Sequence, residues 1–280
     1  MVTRVPDGID ADTLRFLEIH EARVHAIPGR EVRDLGDAVL LRDRIDREPF
    51  WNRVVGIRWP DRQDAFDRRV AEIIALFGGL DRIPHIWPLP MLNQPADLVE
   101  RLRGHGFLDV GGGITLVLAD ADSGVAALAE RLPPGVTLER LDDTAPDARS
   151  QTAADLALVL TESFDVESDR RAAVELETLA MFEHREVHAV LIRVDGEPAA
   201  AAKRATFDNA TYISSVGTRP AFRGRGLARI ATAAVTADAA RTDCRWTYLA
   251  VLQGNDAAIR LYERLGFARI GGIAPDLILA

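Results

Sequence analysis

Apolar residues in the C-terminal half of the chain follow strand-like and helix-like spacings in turn. The segments Thr211–Thr218 and Arg245–Leu252 have the pattern of strands. Each is followed by a segment with apolar residues at helical spacing, Gly224–Ala240 and Asp256–Leu265. The pattern predicts the order strand, helix, strand, helix in this half.

More elements precede these four in the same half. Ala153–Phe164 and Arg170–Phe182 have helical patterns, and the strand patterns Val187–Val194 and Pro198–Phe207 follow. Asp195-Gly196 lies between the two strands and is a dipeptide strongly favoured in β-hairpin turns. We therefore predict an α/β unit in which an antiparallel meander leads into a strand–helix–strand crossover.

The first half repeats the order of the second. Its pattern predicts two strands that alternate with two helices, in the order Asn52–Trp59, Asp64–Phe77, Ile83–Trp87 and Pro95–Gly104. Both halves then close with a Gly-Phe pair, a Gly-Gly pair and an apolar strand, beginning at Gly106 and at Gly266. Chance similarity between glycine-rich endings is the alternative, but the shared order favours two copies of one β-α-β-α-β unit.

The boundary between the two copies is predicted from clusters of loop-forming residues, above all proline and glycine. Leu132-Pro133-Pro134-Gly135 holds the densest such cluster near the middle of the chain, and residues 120–124 are also loop-like. We place the boundary near residue 133, which gives one domain over residues 1–132 and a second over residues 133–280. A length of 280 residues agrees with two domains.

Composition and charge narrow the class of protein. The formal net charge is −9, which argues against a nucleic-acid-binding protein, because such proteins need a basic footprint. The single cysteine, Cys244, excludes an internal disulfide and a thiolate metal cluster. The sequence has no run of 18 apolar residues and no secretion-signal pattern at its start, so we expect a cytoplasmic protein without a membrane span.

The strongest local signal lies between the strand Thr211–Thr218 and the helix after it, in the loop Arg223-Gly224-Arg225-Gly226-Leu227-Ala228. Glycines let a backbone approach a ligand closely, and unpaired N–H groups at a helix start favour an anion. The alternative is a plain glycine turn. Residues 209–237 contain four arginines and no acid, which favours a phosphate-bearing ligand. The spacing excludes a P-loop, since the only lysine is Lys203, and it excludes a dinucleotide motif.

Two motifs in this half resemble signatures of the GNAT superfamily of acetyl-CoA-dependent N-acetyltransferases. The first is Arg223-x-x-Gly226-x-Ala228, and the second is Asn255-x-x-Ala258-x-x-Leu261-Tyr262-x-x-x-Gly266-Phe267. The resemblance covers about residues 137–280 and implies two tandem domains, each a mixed, mostly antiparallel sheet flanked by helices. It implies that Val216, Gly217 and Thr218 pair with the pantetheine arm of acetyl-CoA. It also implies that the backbone amides of Arg223, Gly224, Arg225, Gly226, Leu227 and Ala228 hold the pyrophosphate.

The first half has no such loop. Between its first predicted strand and helix lies Pro60-Asp61-Arg62-Gln63-Asp64, which has no glycine and carries two acids that would repel a pyrophosphate. We therefore interpret the first half as a degenerate copy that does not bind the co-substrate in the same manner.

Tyr262 occupies the general-acid position of the resembled family, where a phenol could protonate a leaving thiolate. The alternative is a core tyrosine, since it lies on an apolar helical stripe. Asn255 either caps the following helix, touches the co-substrate, or does both. No base can be assigned, because neither strand of the crossover holds a carboxylate. Glu175, Glu177, Glu183 and the six histidines stay unranked candidates.

These observations predict an N-acetyltransferase that moves an acetyl group from acetyl-CoA to the amine of a small molecule, or to a peptide N-terminus or lysine. The alternative is a non-catalytic protein that senses acetyl-CoA, which the missing base favours. We expect no metal cofactor, no nucleic-acid or membrane partner, and a monomer or homodimer. The acceptor cannot be identified from the sequence.

Overall fold

The computed structural model describes residues 9–27, 29–89, 93–119 and 125–279. The chain forms two compact units. The N-terminal unit contains the described parts of Val5–Leu116, Ala250–Asp256 and Arg269–Ala280. The C-terminal unit contains those of Val117–Leu249 and Ala257–Ala268.

The first part of the chain supplies three helices and five strands. In chain order they are α1 (Ala11–Ala26), β1 (Glu31–Asp34), β2 (Val39–Arg42), β3 (Arg53–Val55), α2 (Gln63–Gly79), β4 (His85–Ile86), α3 (Leu98–Gly104) and β5 (Leu108–Leu118). Strands β1, β2 and β3 pair antiparallel, and β3 pairs with β4 in parallel. Helix α1 begins after Asp10, whose carboxylate accepts the N–H of Thr13 at 2.8 Å.

The remaining elements are α4 (Val125–Glu130), β6 (Val136–Arg140), α5 (Arg149–Ser163), α6 (Arg171–Ala180), β7 (Val187–Val194), β8 (Glu197–Phe207), β9 (Ala210–Thr218), α7 (Leu227–Ala239), β10 (Trp246–Leu252), α8 (Asp256–Arg264) and β11 (Phe267–Ile278). Strands β6 to β9 form an antiparallel meander, and β10 pairs with β9 in parallel. Asp195 and Gly196 both have positive φ, as their hairpin turn requires.

The closing strand β11 contributes to both units. Phe267 and Ala268 lie in the C-terminal unit, whereas the rest of β11 lies in the N-terminal unit. There Leu277 pairs with Ile86 of β4 and is fully buried in the N-terminal core. Residues 117–119, at the end of the closing strand of the first repeat, lie in the C-terminal unit. Each repeat therefore places the end of its last strand in the unit of the other repeat, and the domain boundary near residue 133 stays a prediction.

The predicted fold class is confirmed: both units are α/β, with mixed and mostly antiparallel strands flanked by helices. Two element bounds differ for backbone reasons. Helix α7 begins at Leu227 rather than Gly224, because Gly224 and Gly226 have φ of +78° and +75°. Strand β3 ends at Val55 because Gly56 has φ of +64°, so the predicted strand Asn52–Trp59 is shorter than expected.

Candidate functional site

A β-bulge shapes strand β9 at the point where the sequence predicts the pantetheine contacts. Ser214 pairs with Lys203 of β8 and Gly217 pairs with Ala201, so Ser215 and Val216 both face one residue of β8. Ser215 has φ of +52°, which is uncommon for a residue with a side chain. A bulge bends its strand and increases the local twist, so β9 changes direction just before Gly217.

The pairing between β9 and β10 ends before the bulge. The parallel register runs from Ala210 opposite Trp246 to Ile213 opposite Leu249. Beyond Ile213, strand β9 continues for five residues that include Val216, Gly217 and Thr218. Backbone groups along this edge of β9 therefore lie outside the parallel ladder, where an extended ligand with amide groups could pair with them.

Helix α5 lies directly against this end of β9. A Cβ added to Gly217 would lie 2.7 Å from Cβ of Ser163 and 3.5 Å from the ring of Phe164. Gly217 is therefore required by close packing. The hydroxyl oxygens of Ser163 and Thr218 are buried and meet no hydrogen-bond partner among the described residues. Unsatisfied hydroxyls are costly, so this end of β9 suits a ligand that supplies polar atoms.

The loop after β9 forms an open cradle at the start of α7. Gly224 and Gly226 are both left-handed, and a Cβ added to either would meet no atom within 4 Å. Helix α7 has no side-chain cap at its N-terminus. The N–H groups of Arg229 and Ile230 both donate to the carbonyl of Gly226, so the first-turn amides precede them. Such a helix start is well suited to an anionic group.

Two of the four arginines near this loop form hydrogen bonds with neighbouring protein groups. Arg219 donates to both carboxylate oxygens of Glu162 on α5, at 2.9 and 3.3 Å, and to the carbonyl of Pro198 at 2.7 Å. Arg223 donates to the carbonyls of Thr218 and Ser163 at 3.2 and 3.3 Å. The pairing of Arg219 with Glu162 was not predicted from the sequence, because Glu162 lies on α5, outside the acid-free segment 209–237.

Arg225 and Arg229 keep their charge available. Both are exposed, and in the described part of the chain neither has an ion-pair partner. The Arg225 guanidinium lies 5.6 Å from the centre of the Phe222 ring, which orients it beside the loop. The cradle therefore combines a helix N-terminus, left-handed glycines and two uncompensated positive charges.

Tyr262 lies on α8 and is 7% exposed, with its ring 6.2 Å from that of Phe267 in an edge-on arrangement. Burial raises the pKa of Tyr262 to about 12, so the phenol is protonated at neutral pH. Burial is the only cause of this shift, and the hydroxyl makes no hydrogen bond to another described residue. Its catalytic role stays a prediction.

Asn255 immediately precedes α8, and its N–H donates to the carbonyl of Leu252 at 3.1 Å. It lies in the N-terminal unit, whereas residues 216–218, 223–228 and Tyr262 lie in the C-terminal unit. Of the carboxylates considered as bases, Glu175 and Glu183 are exposed on and after α6, and Glu177 on α6 is half-buried. Strands β9 and β10 hold no carboxylate.

The matching position of the N-terminal unit is built differently. Gly56 follows β3, and both of its backbone polar groups are held by α1. Its N–H donates to Oε2 of Glu18 at 3.0 Å, and its carbonyl accepts Nε of Arg15 at 3.0 Å. The chain then reaches α2 through Arg62, whose backbone is extended, and Asp61 is exposed in this connection. This strand end is occupied by the protein's own side chains.

Two general features of the described residues bear on the class of site. None of the described helices is long and apolar enough to cross a membrane. Among the same residues, no group of three histidine, cysteine, aspartate or glutamate side chains is arranged to hold a metal ion.

Comparison with known proteins agrees with this geometry. Residues 154–267 match the model of the acetyltransferase (GNAT) family. A GCN5-related N-acetyltransferase from Kribbella flavida is 26% identical, with a TM-score of 0.68 over 97% of this chain and 96% of that chain. A tandem GNAT protein from the clavulanic acid biosynthesis pathway is 16% identical, with a TM-score of 0.62 over 99% of this chain and 90% of that chain.

A GCN5-related N-acetyltransferase from Sphaerobacter thermophilus is 17% identical, with a TM-score of 0.60 over 99% of this chain and 94% of that chain. The comparison with curated sequences finds no match. The likeness to a tandem GNAT protein over nearly the whole chain confirms the tandem GNAT fold, and the family model matches within the C-terminal half.

Proposed function

We propose that this protein transfers an acetyl group from acetyl-CoA to the amine of a small molecule, and that the C-terminal unit binds the co-substrate. The observation that carries the proposal is the cradle at the start of α7. Gly224 and Gly226 present an open, left-handed backbone in front of an uncapped helix N-terminus. Arg225 and Arg229 add positive charge there, as a pyrophosphate requires.

The bulged end of β9 suits the rest of acetyl-CoA. Its pantetheine arm carries two amides, and the backbone of Val216 to Thr218 lies beyond the ladder with β10. In this arrangement the arm would run from the cradle past the buried hydroxyl of Thr218 and along β9 as an additional strand-like segment.

Tyr262 is proposed as the general acid. The acceptor nitrogen attacks the thioester carbonyl, the carbon–sulfur bond breaks, and the leaving thiolate takes the proton of the Tyr262 hydroxyl. The proton lost by the amine passes through water and returns to the Tyr262 oxygen, because strands β9 and β10 offer no carboxylate to take it. Since burial raises the pKa of Tyr262 to about 12, the phenol holds its proton until the thiolate forms beside it.

We propose that the N-terminal unit does not bind acetyl-CoA in the same way. The strand end that would pair with pantetheine there is already paired with Arg15 and Glu18. The turn that would hold pyrophosphate carries Asp61 and Asp64 and has no glycine.

The second candidate is a protein that binds acetyl-CoA without catalysis. It is favoured by one observation, the missing carboxylate on β9 and β10. Isothermal titration with acetyl-CoA, together with a colorimetric assay of free CoA over a panel of primary amines, separates the two candidates. An enzyme shows one binding site per chain and amine-dependent CoA release. A sensor shows the binding alone, and absence of binding overturns both candidates.

A further inference from the structure

A pocket in the N-terminal unit lies between α1, the residues after β3 and the loop at Leu89 and residues 93–94. Its enclosed volume is about 30 Å³, and the rest of the pocket opens to solvent. The polar side chains that line it are Arg15, Glu18, Arg58, Asn93 and Gln94. It belongs to the unit that lacks a phosphate cradle, and none of its lining residues is among those assigned above to acetyl-CoA.

Glu18 holds an unused oxygen in this pocket. Its Oε2 accepts the N–H of Gly56 at 3.0 Å, whereas Oε1 is shielded from solvent and meets no donor in the part of the chain that the structure describes. A shielded carboxyl oxygen without a donor is costly. A ligand that brings an N–H group to Oε1 would remove that cost.

Arg15 offers the complementary group one helical turn away. Its Nε donates to the carbonyl of Gly56, and its two terminal nitrogens contact no described hydrogen-bond acceptor. Residues three apart on a helix lie on the same face, about 5–6 Å apart at Cβ. Arg15 and Glu18 therefore present a guanidinium and a carboxyl group side by side at one pocket wall.

The surrounding charges indicate the net charge of the ligand. Arg53 on β3 pairs with Glu21 on α1, and Arg58 after β3 pairs with Asp12 on α1. With Glu18 ionised, these residues and Arg15 carry three positive and three negative charges. A ligand with both charges and no net charge is thus favoured over a simple cation or a simple anion.

We propose that this pocket binds a free α-amino acid as its zwitterion, with the ammonium group donating to Oε1 of Glu18 and the carboxylate accepting from Arg15. The amino and carboxylate groups of an α-amino acid are separated by one carbon, which matches two side chains on one helix face. Asn93 and Gln94 would face its side chain at the mouth. This proposal does not depend on acetyl transfer in the C-terminal unit.

The protonation state of Glu18 provides a second way to detect binding, namely the number of protons released. Burial raises the pKa of Glu18 to about 8, although the Gly56 N–H opposes this effect. The nearest charged groups are Glu21, Arg53 and Arg15, and the pairs Arg53–Glu21 and Arg58–Asp12 hold fixed charges around it. An ammonium group on Oε1 favours the ionised carboxylate, so binding at pH 7 should release close to one proton, and binding at pH 9.5 should release almost none from Glu18.

The test is calorimetric titration of the full chain with each of the twenty L-amino acids, in two buffers of different ionisation enthalpy at pH 7. The expected result is saturable binding of at least one amino acid with release of close to one proton. Its amide, which lacks the carboxylate, and its deaminated acid, which lacks the ammonium group, should each bind at least tenfold more weakly.

Glu18→Gln keeps the acceptor for Gly56 but turns an amide N–H₂ toward the ammonium group, so it should weaken binding at least tenfold. Glu100→Gln is the matched control, since Glu100 is exposed on α3 of the same unit, and it should bind normally. A thermal melt of each variant checks folding. The proposal is overturned if no amino acid binds, if the amide and the deaminated acid bind equally well, or if folded Glu18→Gln binds like the wild type.

Discussion

Gly217 on β9 and Ser163 at the end of α5 are in such close contact that a Cβ on the glycine would lie 2.7 Å from that of the serine. Gly56 and Ile19 repeat the relationship in the N-terminal unit, where the corresponding distance to Cγ1 of Ile19 is 2.9 Å. In both units a glycine at a strand end lets a helix, α5 or α1, pack closely against that strand. The repeat is thus visible in packing as well as in element order.

Gly217→Ala should destabilise the protein by about 1–3 kcal/mol, the usual cost of forcing an extra methyl group into a packed contact. Ser163→Gly in the same chain should restore most of the loss, because it removes both of the atoms closest to the new methyl group. Urea unfolding of the two single variants and the double variant measures the coupling. Gly111→Ala is the control, since its added Cβ would meet open space, and additive effects in the cycle would contradict the contact.

Gly226→Asp should weaken acetyl-CoA binding by well over tenfold while the protein stays folded. Aspartate tolerates a left-handed backbone better than most residues, and it places a carboxylate beside the proposed pyrophosphate site. Calorimetric titration with acetyl-CoA gives the affinity. Gly196→Asp is the control, because Gly196 is also left-handed with open space around it but lies in a hairpin turn. Unchanged affinity in a folded Gly226 variant would show that phosphate binds elsewhere.

Tyr262→Phe should reduce turnover by about 10²–10⁴ while acetyl-CoA affinity stays within a few-fold, because only the proposed proton donor is removed. The melting temperature should stay the same or rise slightly, since no described residue bonds to this hydroxyl. Steady-state rates with an accepted amine, measured beside thermal melts, provide the check. Tyr212→Phe, in the β9 core, should affect stability and leave turnover nearly intact. Normal turnover in Tyr262→Phe would remove Tyr262 from the mechanism.

The pKa of about 8 at Glu18 makes the stability of the protein pH-dependent. The unfolded chain loses this proton near pH 4.5, whereas the folded protein keeps it until about pH 8. Between these values the unfolded state binds fewer protons, so the contribution of Glu18 to stability falls as the pH rises. Glu18→Gln removes that dependence.

Its melting temperature relative to the wild type should therefore increase from pH 5 to pH 9. Differential scanning calorimetry at several pH values measures this difference. A constant difference over this range would mean that the Glu18 carboxyl titrates normally.

Leu277→Ala should destabilise the protein by about 2–5 kcal/mol, as expected for a large-to-small change in a core. Leu277 is completely buried in the N-terminal core, although it lies near the end of the second repeat. Ile273→Ala, on the same strand but 45% exposed, is the control and should have a small effect. Chemical denaturation of both variants tests this, and equal small losses would place Leu277 outside the core.

Local patterns were sufficient to predict most of the elements of the C-terminal unit. The hairpin at Asp195-Gly196 and the crossover around α7 depend on turn chemistry and apolar spacing, which a sequence displays directly. The glycine-rich loop before α7 was predicted from the same kind of signal, but the left-handed φ of Gly224 and Gly226 was not, and the predicted helix therefore began too early. Helix α1 and strands β1 and β2 were not predicted. Both strands are only four residues long, and β2 is buried on both faces, which leaves little periodicity in its sequence.

Features that depend on distant segments were not accessible from the sequence. The pairing of Arg219 with Glu162 joins residues 57 positions apart, and the bulge at Ser215 is defined only by its register against β8. The occupation of the Gly56 backbone by α1 side chains likewise needs the fold before it can be seen. These contacts make the end of β3 chemically different from the end of β9. In the sequence the two strand ends differ visibly only in the loop that follows each of them.

The placement of residues 269–279 in the N-terminal unit has a consequence for synthesis of the protein. A ribosome releases the first repeat long before it makes the strand that pairs with β4. Until then one edge of β4 at Ile86 is unpaired and the N-terminal core lacks Leu277. The first repeat is therefore incompletely folded during this time, and its open strand edge could pair with other chains. A mutation that removes or disrupts these C-terminal residues would therefore cause misfolding of the N-terminal unit first.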